Sequence, residues 1–420
     1  MKRAVLTWML LAWAVPVWAD PASGEQPVGA TVDEFLALAR EINPEIAARA
    51  LEAEAAAAWV EGADAFPDPK LQITLDDISR NAAGLPGRVA TTKYTLQQEI
   101  PWWGKRALQR EIAVAASREA ESVREERKLE VAMKVKMAYA DYHRVHLSMD
   151  QTDELIQIMR VLVEFARFRY AQGMGSQQEA TSAEAERGAL SMERVRLLQE
   201  RHRIRARLNA LVGRPAEAPV VEHPHLRELP ETSLLDYRQL LERGLAANPS
   251  LGMARARVAS AEGETRLAKK AWYPDWEVGF GVVERRNVEE MDSYEAMVGV
   301  SLPLQWSAKK AKERETALKE QAARQDLVAE RLRVELGLKE ALSSLEEAQA
   351  VEKVTRESLL PQARIALQSA LKGYENGNTE AVAVLDAVQR LKKFQIERLK
   401  AQYDQQVRLA EIERFVGGEW

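Results

Sequence analysis

Few residues in this sequence could carry catalysis or bind a metal. Cysteine is absent. The histidines are His143, His146, His202, His223 and His225. His143 and His146 are three positions apart, which would place them on one helix face where they could share a metal ion. Met133 and Met137 could supply soft ligands in the same way. Neither pair has further ligands beside it, so solvent-facing histidines and packed methionines are the preferred interpretation.

Recognisable catalytic motifs are also absent from the sequence. There is no glycine-rich phosphate loop, no His-Glu-x-x-His motif and no serine nucleophile elbow. We therefore predict that the protein is not an enzyme, and that it uses neither a cofactor nor a bound metal.

The acidic residues Glu179 and Asp386 are better candidates for a functional role. Each follows shortly after a Tyr-x-x-Gly sequence, at residues 170–173 and 374–377, where a long helical pattern breaks. If several copies of the chain meet around an axis, one carboxylate near that axis becomes a ring that attracts cations and responds to salt and pH. Ordinary solvent-exposed helix acids would give the same sequence, and both interpretations stay open.

These breaks end helices that begin at a second recurring feature, a junction between a strand and a helix. Residues 89–100 alternate as in a strand. Pro101 stops the strand because it has no N–H for the ladder, and Gly104 gives freedom for the turn. The helical pattern from Lys105 contains no proline or glycine until Gly173. At about 1.5 Å per residue it is roughly 100 Å long.

The whole arrangement occurs twice, at an offset of about 205 residues. Matching positions are Asn43-Pro44 with Asn248-Pro249, Ile100-Pro101 with Leu302-Pro303, Tyr170 and Gly173 with Tyr374 and Gly377, and Val212-Gly213 with Val416-Gly417. We predict two copies of one unit, helix–strand–strand–long helix–helix, over residues 20–214 and 235–420. Residues 215–234, rich in proline and glutamate, would link them.

The first residues have the features of a secretory signal. Lys2 and Arg3 form a basic start, an apolar run covers residues 4–15, and residues 17–19 offer a small-residue cleavage site. Residues 1–19 are therefore predicted to be removed. With no cysteine beside the cut, no lipid anchor is expected. The net charge of −5, with both signs interleaved, argues against nucleic acid as a partner.

The predicted strands carry the alternation of a lipid-facing barrel. Along residues 276–282, every second residue is large and apolar, while the opposite face is small or polar. A half-buried soluble hairpin would alternate similarly, but the aromatic residues beside the strands resemble membrane-interface belts. They are Trp102, Trp103, Trp272, Tyr273 and Trp306. Four strands cannot close a sheet within lipid, so two chains would give eight strands and three would give twelve.

The lengths of the predicted helices favour a single wall in which all helical segments reach the same height. The predicted helices at 33–65 and 178–212 together have about as many residues as the helix at 105–172, so they could stack end to end alongside it. The fold class predicted from these elements is mainly α with a small β part. A solvated coiled coil would explain the many charges of the long helices. It would not explain the strands, the signal sequence or the two proline-marked junctions.

Over essentially the whole mature chain, this pattern resembles the TolC family of outer-membrane efflux factors. The most specific elements are Gln-Glu-Ile-Pro-Trp-Trp-Gly-Lys at residues 98–105, the paired Asn-Pro sequences and the Tyr-x-x-Gly breaks. The resemblance implies a homotrimer whose twelve-stranded β-barrel, surrounded by outer-membrane lipid, continues into a long periplasmic α-helical barrel. It also implies a periplasmic adaptor and an inner-membrane pump. The junction looks closest to the heavy-metal resistance branch, in which an RND-type pump is expected.

The resemblance also assigns roles to residues of this sequence. It implies a periplasmic gate or constriction at Glu179, Tyr374 and Asp386. Ala383 and Thr379 stand where the family often has an acid and a base. The adaptor would dock on a tip formed by Gly173, Ser176, Gly377 and Thr379. The junction between barrel and tunnel would consist of Pro101, Trp102, Trp103, Gly104, Pro303 and Trp306.

The sequence is thus interpreted as an exit duct. It would passively conduct metal cations or small toxic compounds from a pump and adaptor across the periplasm and outer membrane. Two alternatives stay open: a channel for type I protein secretion, and a structural coiled-coil envelope protein that forms no channel. A periplasmic adaptor is disfavoured, because the chain lacks the all-β modules expected beside a helical hairpin.

Overall fold

The computed structural model describes residues 27–76, 91–222, 224–230, 235–285 and 293–419. The predicted signal sequence, the start of the strand predicted at 89–100 and His223 lie outside these residues. Both halves of the chain contain helices and strands in the same order. The first half holds α1 (Val32–Ile42), α2 (Pro44–Gly62), β1 (Lys70–Asp76), β2 (Thr91–Ile100), α3 (Lys105–Ala171) and α4 (Gln177–Leu211). The second holds α5 (Tyr237–Ala247), α6 (Pro249–Lys270), β3 (Trp276–Arg285), β4 (Ser293–Val300), α7 (Trp306–Val354), α8 (Leu360–Glu375) and α9 (Ala381–Val416).

The single helix predicted at 33–65 is wrong, because the chain breaks at Asn43 into α1 and α2. Pro44 disfavours the helical conformation in the residue before it, and Asn43 is extended, with φ −68° and ψ 121°. Its side chain then caps α2 by accepting hydrogen bonds from the N–H groups two and three positions on, at 2.8 and 3.0 Å. Asn248 caps α6 in the same way.

The same two asparagines join helices end to end. Asn43 Nδ2 donates to the carbonyl oxygen of Leu211 at 2.6 Å, at the end of α4. Asn248 Nδ2 donates to that of Phe415 at 3.0 Å, near the end of α9. Both α2 and α4 pack along α3, whose 67 residues form a rod of about 100 Å. The end-to-end stacking predicted from helix lengths is therefore observed in the first half.

The long helix of the second half is irregular at one point. A π-helical turn, Thr355–Leu359, joins α7 to α8. Pro361 has no N–H to donate to the carbonyl of Glu357 four residues earlier, and its ring crowds that carbonyl. The widened turn lets the helix continue past the proline.

The four strands form one antiparallel sheet in the order β1-β2-β3-β4, with β1 and β4 at its edges. Ile100, Trp276 and Val300 are paired at one level. Ile100 and Val300 end their strands before a helix begins, and Trp276 begins its strand after α6 ends. These three residues define the helix-side rim of the sheet.

The two faces of the sheet differ in polarity, as the alternation predicted. Leu71, Phe280 and Val298 share one face and are 65%, 59% and 71% exposed. On the opposite face, polar side chains bond across strands, with Thr95 Oγ1 donating to Glu295 Oε1 at 2.8 Å. Apolar side chains therefore cover one side of the sheet, and hydrogen-bonded polar groups cover the other.

The helices pack through separate apolar clusters. One lies between α1, α3 and α4 and includes Phe35, Tyr139 and Leu208. Another joins α3, α4, α8 and α9 through residues such as Met159 and Tyr374, so the far ends of helices from both halves share a core. Within the ranges described, no helix is both long and apolar enough to cross a bilayer.

Buried charges fasten the segment between the halves to α3 and α9. Lys136 and Glu413 are 7% and 5% exposed, with Nζ and Oε2 2.7 Å apart. Arg227 pairs with the other Glu413 oxygen at 2.6 Å, and Glu419 accepts from Lys136 at 2.5 Å. Gln406 Nε2 donates to the carbonyl oxygen of Arg227 at 2.7 Å. Lys136 and Glu413, together with their partly exposed partners Arg227 and Glu419, are termed the buried charge cluster.

Candidate functional site

The far ends of the long helices are turns that require glycine. Gly173 follows α3 and Gly377 follows α8, with φ of +70° and +75°, a left-handed conformation that other residues rarely adopt. The next residue in each turn donates its N–H to a carbonyl five positions back, at 2.9 Å for Met174 and 2.8 Å for Asn378. A Cβ at either glycine would meet nothing within 4 Å. Backbone conformation, and not crowding, therefore demands glycine at both turns.

Three residues from both halves of the chain meet beside these turns. The Tyr374 hydroxyl donates to Oε2 of Glu179 at 3.0 Å. The Arg169 guanidinium donates to the carbonyl oxygen of Tyr374 at 3.0 Å and lies 4.8 Å from the centre of its ring. Tyr374 is 1% exposed and packs edge-on against Phe165, with 5.6 Å between ring centres. We term Arg169, Glu179 and Tyr374 the tip cluster, which ties α3, α4 and α8 together.

The contacts of the tip cluster fix the ends of α3, α4 and α8 relative to one another. Burial, together with the Glu179 carboxylate, raises the pKa of Tyr374 to about 12, so the phenol remains a hydrogen-bond donor at physiological pH. The backbone N–H of Glu179 donates to Ser176 Oγ at 3.2 Å, which caps α4. Glu179 is thereby held at both its backbone and its carboxylate, and a displacement of α8 relative to α4 would break the second contact.

Asp386 does not join the tip cluster, although the sequence grouped it with Glu179 and Tyr374. It lies on α9 with its side chain 56% exposed and pairs with Arg390, one turn further on, at 2.8 Å. An exposed (i, i+4) ion pair of this kind contributes only about 0.3–0.5 kcal/mol. The ion pair described for Asp386 is thus confined to its own helix, and its place in a constriction remains a prediction.

The four residues predicted to form the adaptor-docking tip are exposed at the helix ends. They are Gly173, Ser176, Gly377 and Thr379. A Cβ at Gly373 would lie 2.2 Å from Thr379 Oγ1, so a glycine at that position lets the turn fold back onto α8. Docking of an adaptor on this surface remains a prediction.

Sequence reasoning missed Arg169, although the family resemblance selected Tyr374 and not Tyr170 for the gate. Tyr170 is the repeat counterpart of the tyrosine in the tip cluster, yet it is 50% exposed. The counterparts of Arg169 and Glu179 in the second half are Gly373 and Ala383. The second copy of the cluster would therefore lack both the guanidinium and the carboxylate. Comparing the two halves residue by residue would have revealed this difference between the two tyrosines.

The carboxylate of Asp275 joins the two strand–helix junctions, and sequence reasoning also missed this residue. Asp275 Oδ1 accepts from the N–H of Trp102 at 2.7 Å. Both Asp275 oxygens lie near Lys105 Nζ, at 2.7 and 2.8 Å. Trp102 also stacks on Tyr273, with 5.3 Å between ring centres. The start of α3 is thus bound to the segment between α6 and β3.

The predicted junction residues lie where the strands meet the helices. Pro101 directly follows β2, and Gly104 has φ +81° immediately before α3. Pro303 lies between β4 and α7. Trp103 and Trp306 are 72% and 63% exposed. The junctions therefore combine chain breaks with aromatic side chains that point away from the core.

Removing the Asp275 carboxylate should destabilise the junction. Asp275→Ala is expected to lower the free energy of unfolding by about 2–3 kcal/mol, because Lys105, whose side chain is 13% exposed, loses its charged partner. Urea unfolding followed by tryptophan fluorescence would measure the change. The matched control is Asp68→Ala, at the exposed repeat counterpart, which should cost less than about 0.5 kcal/mol. Equal losses in both variants would contradict the assignment.

The histidines do not form a metal centre in the part of the chain that the structure describes. Burial, together with nearby His146 and His225, lowers the pKa of His143 to about 4, so His143 is neutral at physiological pH. Among the described residues, no three His, Asp or Glu side chains converge as metal ligands would.

Comparison with protein families decides what kind of protein carries these features. The family model described as "Outer membrane efflux protein" matches residues 35–214 and 240–418. The chain belongs to the outer membrane efflux protein family. This is a family of channels, so membership decides against the alternative of a structural coiled-coil protein. The same membership places this protein in the outer membrane, with an extension into the periplasm.

Individual outer membrane efflux proteins and related channels are similar over nearly the whole chain. The sequence is 25% identical over 395 residues to the cobalt-zinc-cadmium resistance protein CzcC of Cupriavidus metallidurans, covering 92% of this chain and 88% of CzcC. The outer-membrane channel OprN matches with a TM-score of 0.80 at 18% identity, covering 93% of this chain and 90% of OprN. VceC from Vibrio cholerae matches with a TM-score of 0.79 at 20% identity, covering 93% and 97%. The two solved structures show a shared fold.

Proposed function

We propose that three copies of this chain close one pore wall and form the exit duct of a tripartite efflux system. The observation that carries this proposal is the open sheet, with one exposed apolar face and one hydrogen-bonded polar face. Lipid cannot satisfy free backbone groups at the β1 and β4 edges, so the sheet must continue into other copies. Three copies supply twelve strands, more than the roughly eight of the smallest membrane barrels.

The helices support the same arrangement. In this proposal, the repeats at 20–214 and 235–420 each add one long helix and one stacked pair to a periplasmic tunnel of roughly 100 Å. Glu179 and Tyr374 would hold the tunnel closed at the end remote from the sheet, and Asp386 would add charge to the constriction. A periplasmic adaptor would dock on the exposed turns at Gly173 and Gly377, and an RND-type inner-membrane pump would supply the energy.

Divalent metal cations are the proposed cargo. CzcC, at 25% identity, is named as a cobalt-zinc-cadmium resistance protein. In a trimer, Glu179 and Asp386 would each occur three times near the tip, and rings of carboxylates favour cations. Deleting the gene should lower tolerance to cobalt, zinc and cadmium salts. Loss of tolerance to organic compounds alone, or loss of a secreted polypeptide, would assign another cargo to the duct.

The absence of cysteine from the natural chain permits a direct test of the closed barrel. A cysteine at Val298 on β4, combined with one at Leu71, Gln72 or Ile73 on β1, should give disulfide-linked dimers and trimers on a denaturing gel. The two edge strands of one chain are separated by two others, about 14 Å in all, so only a neighbouring copy can complete the link.

The control for this test pairs Val298 with Leu96, which lies on the inner strand β2. That variant should remain monomeric on the gel. A wild-type particle that is monomeric in detergent, or a cross-linked ladder that continues beyond three chains, would contradict the trimeric barrel.

A further inference from the structure

Lysines are concentrated at the helix-side rim of the sheet, in the second half of the chain. Residues 269–275 and 301–313 together contain five lysines and two acidic residues. The matching residues of the first half, 62–68 and 99–111, contain three basic and four acidic residues. The two halves therefore differ in charge at equivalent junctions, and the basic one occurs once per chain.

The two acids in these segments already have partners. Asp275 is paired with Lys105 at 2.7 Å, and Glu313 accepts from the Trp272 indole at 3.3 Å. Lys269 and Lys310 are exposed, and neither makes an ion pair with any residue that the structure describes. Much of the positive charge at this junction is therefore not balanced by the chain itself.

Two further lysines are held at the junction through backbone carbonyls. Lys270 Nζ donates to the carbonyl oxygen of Trp103 at 3.1 Å, and Lys309 Nζ donates to that of Ala271 at 2.7 Å. These bonds position the two ammonium groups without neutralising them. Lys269, Lys270, Lys309 and Lys310 are termed the lysine patch.

Apolar side chains border the lysine patch. Leu302, Leu304 and Trp306 are 69%, 72% and 63% exposed. A cleft of about 490 Å³ lies between Leu302, Leu304 and the end of α6. Its lining also includes Lys309, Tyr273 and the paired charges Lys105 and Asp275. The surface thus places cationic groups directly beside an apolar strip, which suits a ligand with an anionic head and apolar chains.

We propose that the lysine patch binds an anionic phospholipid of the periplasmic leaflet of the outer membrane. The phosphate would lie against Lys269 and Lys310, and the acyl chains would lie along Leu302 and Leu304. Ser301 follows the rim residue Val300 directly, so the cleft is at the level where headgroups meet a sheet that spans the bilayer. This inference rests on the proposed position of the sheet in the membrane.

Charge separates this occupant from the proposed cargo, because a lysine patch repels metal cations. A second copy would bring its β1 edge toward β4, and Asp64 and Asp68 precede β1, which begins with Lys70. The oligomer measurement described below therefore distinguishes contact with a second copy from a lipid. An anionic headgroup complements the patch, because each lysine near an anionic membrane surface strengthens binding by about fivefold.

The test compares Lys269→Gln/Lys310→Gln with wild-type protein. Native mass spectrometry of the detergent-solubilised protein would give dissociation constants for short-chain phosphatidylglycerol and phosphatidylcholine. We expect wild-type protein to prefer phosphatidylglycerol, and the double variant to bind it more weakly, on the order of 25-fold. The control variant, Lys353→Gln/Lys393→Gln, removes the same charge from exposed positions on α7 and α9 and should bind like wild type.

Several outcomes would overturn the inference. These are equal affinity for the two lipids, unchanged binding in the double variant, or displacement of phosphatidylglycerol by inorganic phosphate, which would indicate a phosphate site. A loss of oligomers in neutral detergent in the double variant would instead assign the patch to contact with a second copy. Conductance in phosphatidylcholine bilayers tests the proposed duct separately, because it requires no anionic lipid.

Discussion

Channels carrying Tyr374→Phe should be open for a much larger fraction of the time than wild-type channels in planar bilayers. Phenylalanine keeps the edge-on packing against Phe165 but cannot donate to the Glu179 carboxylate. A hydrogen bond to a charged group contributes about 1.5–3 kcal/mol. If opening separates α8 from α4, loss of this bond should shift the closed–open equilibrium about ten- to hundredfold.

Two control variants separate the gate from general damage to the tip. Tyr170→Phe makes the same chemical change at the exposed repeat counterpart and should leave the open fraction near that of wild type. Asp386→Asn removes the acid that pairs within its own helix. It should weaken cation block and leave the open fraction unchanged. An open fraction unchanged by Tyr374→Phe would remove the tip cluster from the gate.

Lys136→Met should lower the free energy of unfolding by about 3 kcal/mol, at the lower end of the range for breaking a buried ion pair. Glu413 would stay buried, with Arg227 as its remaining charged partner. The hydrogen bond from Lys136 also holds the pKa of Glu419 below its ordinary value of 4.5. That part of the stability is present above pH 4.5 and is lost as the pH falls through the lowered pKa.

The matched control for this prediction lies one half-turn away on α3. Lys134→Met removes a lysine whose side chain is 43% exposed and which pairs with Glu130 on the same helix. It should cost less than about 0.5 kcal/mol. Thermal and urea unfolding in detergent would measure both variants, and limited proteolysis would report whether residues 215–234 are released. Equal stabilities for the two variants would show that the buried charge cluster does not hold the halves together.

The helices, the strands and their breaks follow from local chemistry that the sequence displays. Pro101 and Gly104 separate a strand from a helix because one lacks an N–H and the other tolerates positive φ. The structure accordingly ends β2 at Ile100 and begins α3 at Lys105. Alternation of apolar residues predicted the two faces of the sheet, and self-comparison revealed the two halves. The break at Asn43 was missed, although the Asn-Pro sequence that causes it was visible.

Contacts between distant residues were decided only by tertiary structure. Tyr374 and Glu179 are 195 positions apart, and Lys136 and Glu413 are 277 apart. Each residue advances about 100° around an α-helix, since a turn takes 3.6 residues, so small changes in how α3, α4 and α8 face one another would bury a different tyrosine. The sequence by itself determined the strand–helix junctions, the glycine breaks after α3 and α8, and the alternation of the strands. Packing determined which side chains meet, because that depends on the relative rotation of helices that no local pattern encodes.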